Sequence, residues 1–362
     1  MMTKIRIGNK QIGDNCPAFI VAEISANHGQ KFDRAVNMIK EAKACGADAV
    51  KFQTYTPDTI TLNSSNKYFQ VKHPKWGGQT LYQLYKKGYT PWHWFKKLKK
   101  VCDDEGICFF SSAFDKTSID LLEDLNVPAH KISSFELVDI PLIKYAAKTK
   151  KPLIMSSGMA SEQEIEEAVK AAREAGAKEI ILLKCVSNYP AIPEEMNLRA
   201  IPAMEERFKC PIGFSDHTLG VDMALVAVTL GAVLVEKHFI LSKRHKTPDS
   251  FFSIDPHELK TLVDHIRLVE KALGQEKNVI SQEEMKSRVF RRSLFAVRDI
   301  KKGEKFDENN VRSIRPGHGL SPKYADKFWG KQAIKNIKKG SPLRWDYVNG
   351  GRARHLLAKE ER

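Results

Sequence analysis

The sequence predicts a (β/α)₈ TIM barrel followed by a small β-rich domain. Eight short apolar or β-branched runs alternate with amphipathic helical patterns between residue 19 and about residue 275, and beyond that point the pattern changes to short strands and turns. Eight strand–helix units in about 260 residues have the size that a TIM barrel needs.

The predicted barrel strands are FIVAEI (19–24), AVKFQ (49–53), ICFFSSA (107–113), AHKISS (129–134), PLIMSSG (152–158), IILLKCVS (180–187), CPIGFSD (210–216) and LVEKHF (234–239). Several helical patterns between them end at a glycine, as helix C-termini often do. A doubly wound open sheet is the alternative fold. It would need a glycine-rich phosphate loop after the first strand, and AEISANHGQ does not supply one.

A long polar and aromatic loop interrupts the pattern at residues 54–90, and we expect it to contact substrate or cover the site. The next helix is predicted to begin with Thr90 as N-cap and Pro91 at its first position.

The chain is predicted to divide into four segments. These are the barrel (1–278), a charged linker (279–291), the β-rich domain (292–348) and a C-terminal tail (349–362). We expect the β-rich domain to be too small for a deep core of its own.

Composition narrows the possible functions. The net charge of +15 favours anionic partners, but the basic residues are spread along the chain without interleaved aromatic residues, so we expect no nucleic-acid partner. No apolar run is long enough to span a membrane, and six scattered cysteines without a CxxC pair are typical of reduced thiols. We therefore expect a cytoplasmic protein with no membrane partner.

Polar residues lie at or just beyond the carboxyl ends of the predicted strands, where TIM barrels build their active sites. They are Glu23, Lys51, Gln53, Ser112, Lys131, Ser134, Glu136, Ser156, Ser157, Ser187, Tyr189, Ser215, His217 and His238. A single serine there is most often a turn or cap residue, and only the recurrence from strand to strand indicates a site.

Two lysines, Lys51 and Lys131, lie inside apolar strand sequences, where an unpaired ammonium group would be costly. A bound anion such as phosphate would make both tolerable. The competing interpretation is a Schiff-base lysine of a class I aldolase. Two lysines among several serines favour a cradle for phosphate and carboxylate.

Two histidines, His217 and His238, end neighbouring strands and should face one mouth of the barrel. Such a pair could bind a metal ion that keeps open positions for water and substrate oxygens. The ligands do not choose among Mn²⁺, Mg²⁺, Co²⁺ and Zn²⁺. Glu23, Glu136, Glu236 and Asp249 are nearby carboxylates that could move a proton or hold hydroxyl groups.

Ordered blocks along the chain resemble the sialic acid synthase family. They are AEISANHGQ, KFQTY, FFSSAFD, KISSFE, MSSGMA, KCVSNYP, GFSDHTLG, EKHF, PDSFFS, RRSLFAVRDIKKGE and RSIRPGHGL, and they span about residues 5–348. In that family a barrel precedes a small antifreeze-like (SAF) domain.

The resemblance implies a reaction in which phosphoenolpyruvate condenses with an N-acetylated amino sugar and phosphate is released. It also implies a divalent metal ion (Mn²⁺, Mg²⁺ or Co²⁺) and a homodimer that is domain-swapped through the SAF domain. His217 and His238 would bind the metal, and together with Glu23, a candidate for proton transfer, they form the catalytic set. The residues implied to bind phosphoenolpyruvate are Lys51, Ser112, Lys131, Ser134, Ser156, Ser187 and Ser215. The residues implied to bind the sugar are Gln53, Phe114, Phe135, Glu136, Tyr189, Asp249 and, from the partner chain, Arg315.

Departures from the N-acetylneuraminate synthase pattern bear on the sugar. Phe135 replaces a glycine beside Glu136, Ser187 replaces an asparagine, and SSAF replaces S-T-P-F. These features resemble the pseudaminic acid synthase branch, whose sugar is 2,4-diacetamido-2,4,6-trideoxy-L-altrose. A sugar without a 6-hydroxyl group suits more apolar walls.

Other functions are alternatives at this point. Within the family, the chain could act as an N-acetylneuraminate or legionaminate synthase. It could also be a non-catalytic carbohydrate-binding protein on the same fold. The second alternative would require losses from the catalytic set, and Glu23, both lysines and both histidines are present.

Overall fold

The computed structural model describes residues 4–274 and 277–349. The chain divides into two compact units, residues 1–274 and 275–362. Most of the predicted C-terminal tail, residues 350–362, lies outside the described residues.

The first unit begins with an antiparallel hairpin that the sequence reasoning missed. Its strands are β1 (Ile5–Ile7) and β2 (Lys10–Ile12). Ile5, Ile7 and Ile12 are buried in one cluster with residues from the amino-terminal parts of the barrel strands, among them Phe19 and Ala49. The hairpin therefore packs against the end of the barrel interior away from the carboxyl ends of the strands.

Eight parallel strands form a closed barrel, which confirms the predicted fold. They are β3 (Phe19–Glu23), β4 (Ala49–Thr54), β5 (Cys108–Ala113), β6 (His130–Ile132), β7 (Leu153–Ser156), β8 (Ile180–Cys185), β9 (Ile212–Asp216) and β10 (Leu234–His238). They pair in chain order, and β10 closes the barrel against β3. Each strand ends at the predicted residue or one or two residues earlier, except β4, which runs one residue further.

Most of the helices surround the strands and bury their apolar faces in a large shared core. The helices are α1 (Phe32–Ala44), α2 (Pro57–Ile60), α3 (Leu81–Gly88), α4 (Phe95–Glu105), α5 (Lys116–Asp124), α6 (Ile140–Ala147), α7 (Glu162–Glu174), α8 (Ala200–Phe208), α9 (Asp222–Thr229) and α10 (Pro256–Leu273). The short α2 and α3 lie in the long loop after β4 and contribute no residue to that core. Gly46, Gly176 and Gly231 follow α1, α7 and α9 with φ of 91°, 110° and 101°. Glycine adopts this left-handed conformation without strain, which explains why these helices end there.

The predicted cap at Thr90 is wrong. Thr90 is buried, and its hydroxyl group lies 3.0 Å from Nε2 of His28. A 3₁₀ turn (Trp92–Trp94) follows with Pro91 as its N-cap, and α4 begins only at Phe95. The need of a buried histidine for a partner outweighs the helix-capping preference of threonine.

The second unit contains a short helix, α11 (Gln282–Ser287), and an antiparallel pair, β11 (Ser293–Ala296) and β12 (Val311–Ile314). Contrary to expectation, it has a core of its own. The rings of Phe306 and Phe328 are fully buried there beside Trp345. Large aromatic side chains bury much apolar area per residue, so a domain of this size can form a core from few of them.

Among the described residues, no helix has both the length and the apolar character that crossing a membrane requires.

Candidate active site

A cavity of about 630 Å³ opens at the carboxyl ends of the barrel strands. The predicted site residues that line it are Glu23, Lys51, Gln53, Phe114, Lys131, Ser134, Phe135, Glu136, Ser156, Ser187, Tyr189, Ser215, His217, His238 and Asp249. Ser112 does not line the cavity, but its hydroxyl group accepts a hydrogen bond of 3.0 Å from the Lys51 ammonium group. Arg315 belongs to the second unit, where it follows β12 and is exposed.

Strand alternation explains why these side chains point into the barrel. On β10, Leu234 is buried in the barrel interior, and Glu236 and His238 follow on the same face. On β4, Ala49 has the same position below Lys51 and Gln53. The inward face of each of these two strands is therefore apolar at the bottom of the barrel and polar at its mouth.

Two lysines and two glutamates form a buried charge cluster at the base of the cavity. The Lys51 ammonium group lies 2.7 Å from Glu23 and 3.5 Å from Glu236. Lys131 lies 3.8 Å from Glu236 and donates a hydrogen bond of 2.8 Å to Ser156. The sequence reasoning expected a bound anion to make the lysines tolerable, but the protein already offsets both charges with carboxylates. Glu236, expected only as a carboxylate that could move a proton or hold hydroxyl groups, is the counter-charge that the two lysines share.

Burial and neighbouring charges separate the pKa values of the two glutamates. Burial raises the pKa of Glu23 to about 7, because the attraction of Lys51 only partly offsets it and Glu236 adds repulsion. Burial also acts to raise the pKa of Glu236, but Lys131 and Lys51 outweigh it and hold that pKa below its ordinary value. Glu236 is therefore a fixed negative charge, and Glu23 is the carboxyl group that can exchange a proton near neutrality.

The two histidines lie side by side above this cluster, with ring centroids 5.4 Å apart. Nδ1 of His217 lies 2.8 Å from the carbonyl oxygen of Val186, which places the ring proton on Nδ1 and leaves Nε2 as a lone-pair donor. Nδ1 of His238 is buried without a hydrogen-bond partner. Burial holds the pKa of His238 well below its ordinary value, so its ring is neutral. The pKa of His217 is raised despite burial, because Cys185 and the carbonyl group of Val186 favour its protonated ring.

These rings suit a metal ion, because the neutral ring of His238 has an unpartnered nitrogen and the Val186 carbonyl group orients His217 so that its Nε2, once deprotonated, could bind the ion. Among the described residues, no cluster of three or more histidine, cysteine, aspartate or glutamate side chains is arranged as a complete metal site. A metal held here would take its other ligands from water and substrate.

Serine hydroxyl groups surround the lysines. The hydroxyl groups of Ser134 and Ser187 lie 2.8 Å apart, and Ser215 donates to Glu236 at 3.2 Å. The sequence reasoning missed Gly158, which has φ of 44°, and a Cβ atom there would lie 2.3 Å from Cβ of Ser134. Glycine is therefore required for Ser134 and Ser187 to approach each other. The sequence feature that could have indicated this position is the glycine at the end of the predicted strand segment PLIMSSG (152–158).

Polar groups occupy a second side of the cavity. The Gln53 amide group donates to Glu23 and to the Ser25 hydroxyl group, both at 2.9 Å, and Ser25 in turn donates to Asp249. One carboxylate oxygen of Glu136 is buried without a partner, and burial raises the pKa of Glu136 to about 7. Sequence reasoning missed Ser25, although it directly follows the first predicted strand (19–24).

Aromatic rings close the mouth above the histidines. Tyr189 packs on His217 with ring centroids 4.4 Å apart, and Phe252 packs on His238 at 4.7 Å. Trp76, from the long loop after β4, lies 5.6 Å from Tyr189. Phe135 lines the cavity but is 59% exposed. Trp76 and Phe252 were missed, although the aromatic composition of that loop was noted.

Comparisons with known proteins agree with this architecture. The model of the NeuB family matches residues 38–278, and that of the SAF domain matches residues 291–349. The chain is 43% identical to the pseudaminic acid synthase of Campylobacter jejuni, over 94% of this chain and 98% of that protein. It is 44% identical to the pseudaminic acid synthase of Helicobacter pylori, over 92% and 98%.

A solved structure shares the fold. The N-acetylneuraminic acid synthetase of Leptospira borgpetersenii, in complex with citrate, is similar with a TM-score of 0.71 and 33% sequence identity, over 79% of this chain and 95% of that one.

Proposed function

The chain belongs to the NeuB family, the sialic acid synthases, and we propose that it is a pseudaminic acid synthase. The reaction is the condensation of phosphoenolpyruvate with 2,4-diacetamido-2,4,6-trideoxy-L-altrose to give pseudaminic acid and phosphate. The observation that carries the proposal is the single cavity in which the lysine–glutamate cluster lies beneath His217 and His238.

Phosphoenolpyruvate is proposed to bind over the two lysines. Lys51 and Lys131 would face its phosphate and carboxylate groups, and Ser134, Ser156 and Ser215 would donate hydrogen bonds. Ser187, 2.8 Å from Ser134, would join them, and Ser112 would orient Lys51. Arrival of an anion would add partners to two ammonium groups that now share Glu236.

The bond changes define what the protein must do. A bond forms between C3 of phosphoenolpyruvate and the aldehyde carbon, the oxygen of water bonds to C2, and the C2–O bond to phosphate breaks. The water loses both of its protons as C2 becomes a carbonyl carbon: one leaves with the phosphate, and the other reaches the aldehyde oxygen. Glu23 is proposed to carry this proton, because its pKa of about 7 lets it accept and release one at neutral pH.

A divalent metal ion is proposed to bind to His217 and His238, as expected for a family that is generally metal-dependent. Such an ion supplies Lewis-acid polarisation of the aldehyde. The neutral ring of His238, with its unpartnered buried nitrogen, and the oriented ring of His217 support this assignment. The assay of phosphate release compares Mn²⁺, Mg²⁺ and Co²⁺ as the bound ion.

The sugar is proposed to lie between the polar side and the aromatic mouth. Gln53, Glu136 and Asp249 would bind its hydroxyl and amide groups, because all three line the cavity and one carboxyl oxygen of Glu136 is buried without a partner. Tyr189, Phe114 and Phe135 would supply the apolar surface that a 6-deoxy sugar favours.

A domain-swapped homodimer is proposed to complete the site, with Arg315 of the partner chain binding an N-acetyl group. The support is an exposed apolar rim on the loops that follow β6 to β9. It consists of Phe135, Val138, Met159, Ile192 and Leu219, which are 49–64% exposed. Clustered exposed apolar side chains of this kind mark interaction surfaces.

We also propose that the enzyme works in the cytoplasm, where its six free cysteines would stay reduced.

The test is phosphate release from phosphoenolpyruvate by purified protein, with Mn²⁺, Mg²⁺ or Co²⁺ and after chelation. The L-altro sugar, its D-manno counterpart and N-acetylmannosamine are offered in parallel. We expect metal-dependent release with the L-altro sugar alone. Release with another sugar would keep the reaction and move the chain to an N-acetylneuraminate or legionaminate synthase. No release by folded protein with any sugar would contradict the proposed function and favour a non-catalytic, carbohydrate-binding role.

A further inference from the structure

The long loop between β4 and β5 contains a compact turn, residues 70–80, which we call the Trp76 turn. The backbone N–H of Val71 donates to the carbonyl oxygen of Gln79 at 3.0 Å, and that of Gly77 donates to His73 at 2.7 Å. A Cβ atom at Gly77 would lie 2.6 Å from the His73 oxygen, so the turn needs glycine there. The turn is thus a built element that holds Trp76 in a defined place.

Trp76 connects this turn to two other loops at the mouth. Its indole N–H donates a hydrogen bond of 2.7 Å to the carbonyl oxygen of Pro248, in the loop after β10. Its ring lies 5.8 Å from Phe251 in the same loop and 5.6 Å from Tyr189 in the loop after β8. His73 stacks on it at 4.4 Å.

Trp76 also lines the cavity, together with Tyr189 and Phe252. Within the part of the chain that the structure describes, Tyr189 is the ring that packs on both Trp76 and His217. The rings of His217, Tyr189 and Trp76 thus form a continuous series along the cavity, and an extended sugar whose aldehyde group is at the histidines can place its far end, C6, against Trp76.

We propose that Trp76 is a specificity-determining residue that binds the methyl group at C6 of the deoxy sugar, an inference that rests on the proposed function. The face of an aromatic ring packs well against C–H groups. A hydroxyl group at C6 would lose its water at this face without gaining a partner from Trp76, because the only polar group of the indole already donates to Pro248.

The test compares Trp76→Ala and Trp76→Phe in the full-length protein. Trp92→Phe is the matched control, because Trp92 is also half-buried and also donates to a carbonyl oxygen, that of Tyr55, but does not line the cavity. Steady-state kinetics are measured with the 6-deoxy sugar and with the same sugar bearing a 6-hydroxyl group, each at saturating phosphoenolpyruvate. The KM for phosphoenolpyruvate is measured separately at saturating 6-deoxy sugar.

For Trp76→Ala we expect kcat/KM for the 6-deoxy sugar to fall roughly 10-fold or more, since one methyl group in an apolar pocket is worth about that much. The value for the 6-hydroxy sugar should change far less, so the preference shrinks. Trp76→Phe keeps a ring but loses the anchoring N–H, so we expect a smaller loss. The KM for phosphoenolpyruvate should not move in either variant, and Trp92→Phe should behave as wild type.

A second readout does not depend on turnover. Adding the 6-deoxy sugar should change the tryptophan fluorescence of the wild type and of Trp92→Phe but not of Trp76→Phe. An unchanged sugar preference in Trp76→Ala, or a loss expressed only in the KM for phosphoenolpyruvate, overturns the inference. If the wild type releases no phosphate with any sugar, the proposed function fails, and the fluorescence change alone then decides whether Trp76 contacts the sugar.

Discussion

Four buried ionisable side chains lie close together at the base of the cavity. They are Lys51, Lys131, Glu23 and Glu236. Lys51 is held ionised, because Glu23 and Glu236 outweigh the effect of burial and raise its pKa. Burial lowers the pKa of Lys131 against the attraction of Glu236. With Glu236 ionised as well, Glu23 is the group whose charge is least determined, and this makes it the natural proton carrier of the set.

Glu136 permits a prediction about stability and pH. Its pKa is raised from 4.5 to about 7 by burial, so the folded protein holds this proton more tightly than the unfolded chain. The stabilisation is therefore fully present below pH 4.5 and is lost as the pH rises through about 7. Relative to wild type, we expect Glu136→Gln to gain about 1–3 kcal/mol of unfolding free energy between pH 4.5 and pH 8.

Urea unfolding at a series of pH values measures this difference. The control is Glu167→Gln, at an exposed position on α7, which should follow the wild-type pH dependence. A Glu136→Gln curve parallel to wild type across the whole range would show that the carboxyl group is ionised in the folded protein at pH 5. We also expect weaker sugar binding in this variant.

At the scale of elements, the ends of β9 and β10 are joined behind the two histidines. Lys237 and Asp216 face away from the cavity, and the Lys237 ammonium group donates to Asp216 at 2.7 Å and to the carbonyl oxygen of Thr218 at 2.6 Å. Asp216 also accepts from the backbone N–H of Thr218 at 2.9 Å. Asp216 and Thr218, on either side of His217, are therefore linked to Lys237, which precedes His238.

Asp216→Asn should therefore weaken metal binding more than substrate binding. Loosening the two strand ends changes the separation of the imidazole rings, and changes to residues that hold metal ligands in place cost roughly 10–100-fold in metal affinity. We expect the Kd for Mn²⁺, measured by calorimetry, to rise within that range while the Kd for phosphoenolpyruvate stays nearly constant.

The matched control for this variant is Glu123→Gln. It weakens another buried contact, 2.8 Å from His130, that is remote from the two histidines in the chain. Equal losses of metal affinity in both variants would show that general destabilisation, rather than the tie between β9 and β10, is responsible.

At the scale of the whole molecule, the proposed domain swap predicts that two inactive variants restore activity when they form a mixed dimer. A monomer could not show this effect. His238→Ala inactivates the barrel of its own chain, and Arg315→Ala removes the group that would serve the partner's barrel. In a mixed dimer, the intact barrel of the second chain would receive the intact Arg315 of the first.

Co-expression of the two inactive variants should therefore restore roughly a quarter of wild-type activity, since about half of random dimers are mixed and each has one complete site. Phosphate release by the co-purified protein, compared with the two variants expressed separately, is the measurement. If Arg315→Ala alone is fully active, or if mixing restores nothing while light scattering shows dimers, Arg315 does not act across the dimer.

Much of this molecule follows from local sequence. The eight strands, their order and the polar groups at their carboxyl ends are readable because strand alternation and helix periodicity are local properties of the chain. Once a closed barrel is predicted, Lys51, Lys131, His217 and His238 must share one mouth. Misplaced details, such as the cap at Thr90, arose where a distant partner, here His28, outweighed a local preference.

Tertiary structure alone decided how these groups pair. Nothing local indicates that Glu236 balances two lysines, that Gly158 makes room for two serines, or that Trp76 reaches Pro248 across 172 residues of chain. Each of these depends on distances between strands and loops that are far apart in sequence, and those distances are set by barrel closure and packing. The chemistry available to the site could therefore be predicted from residue types, whereas its charge balance and the shape of its mouth could not.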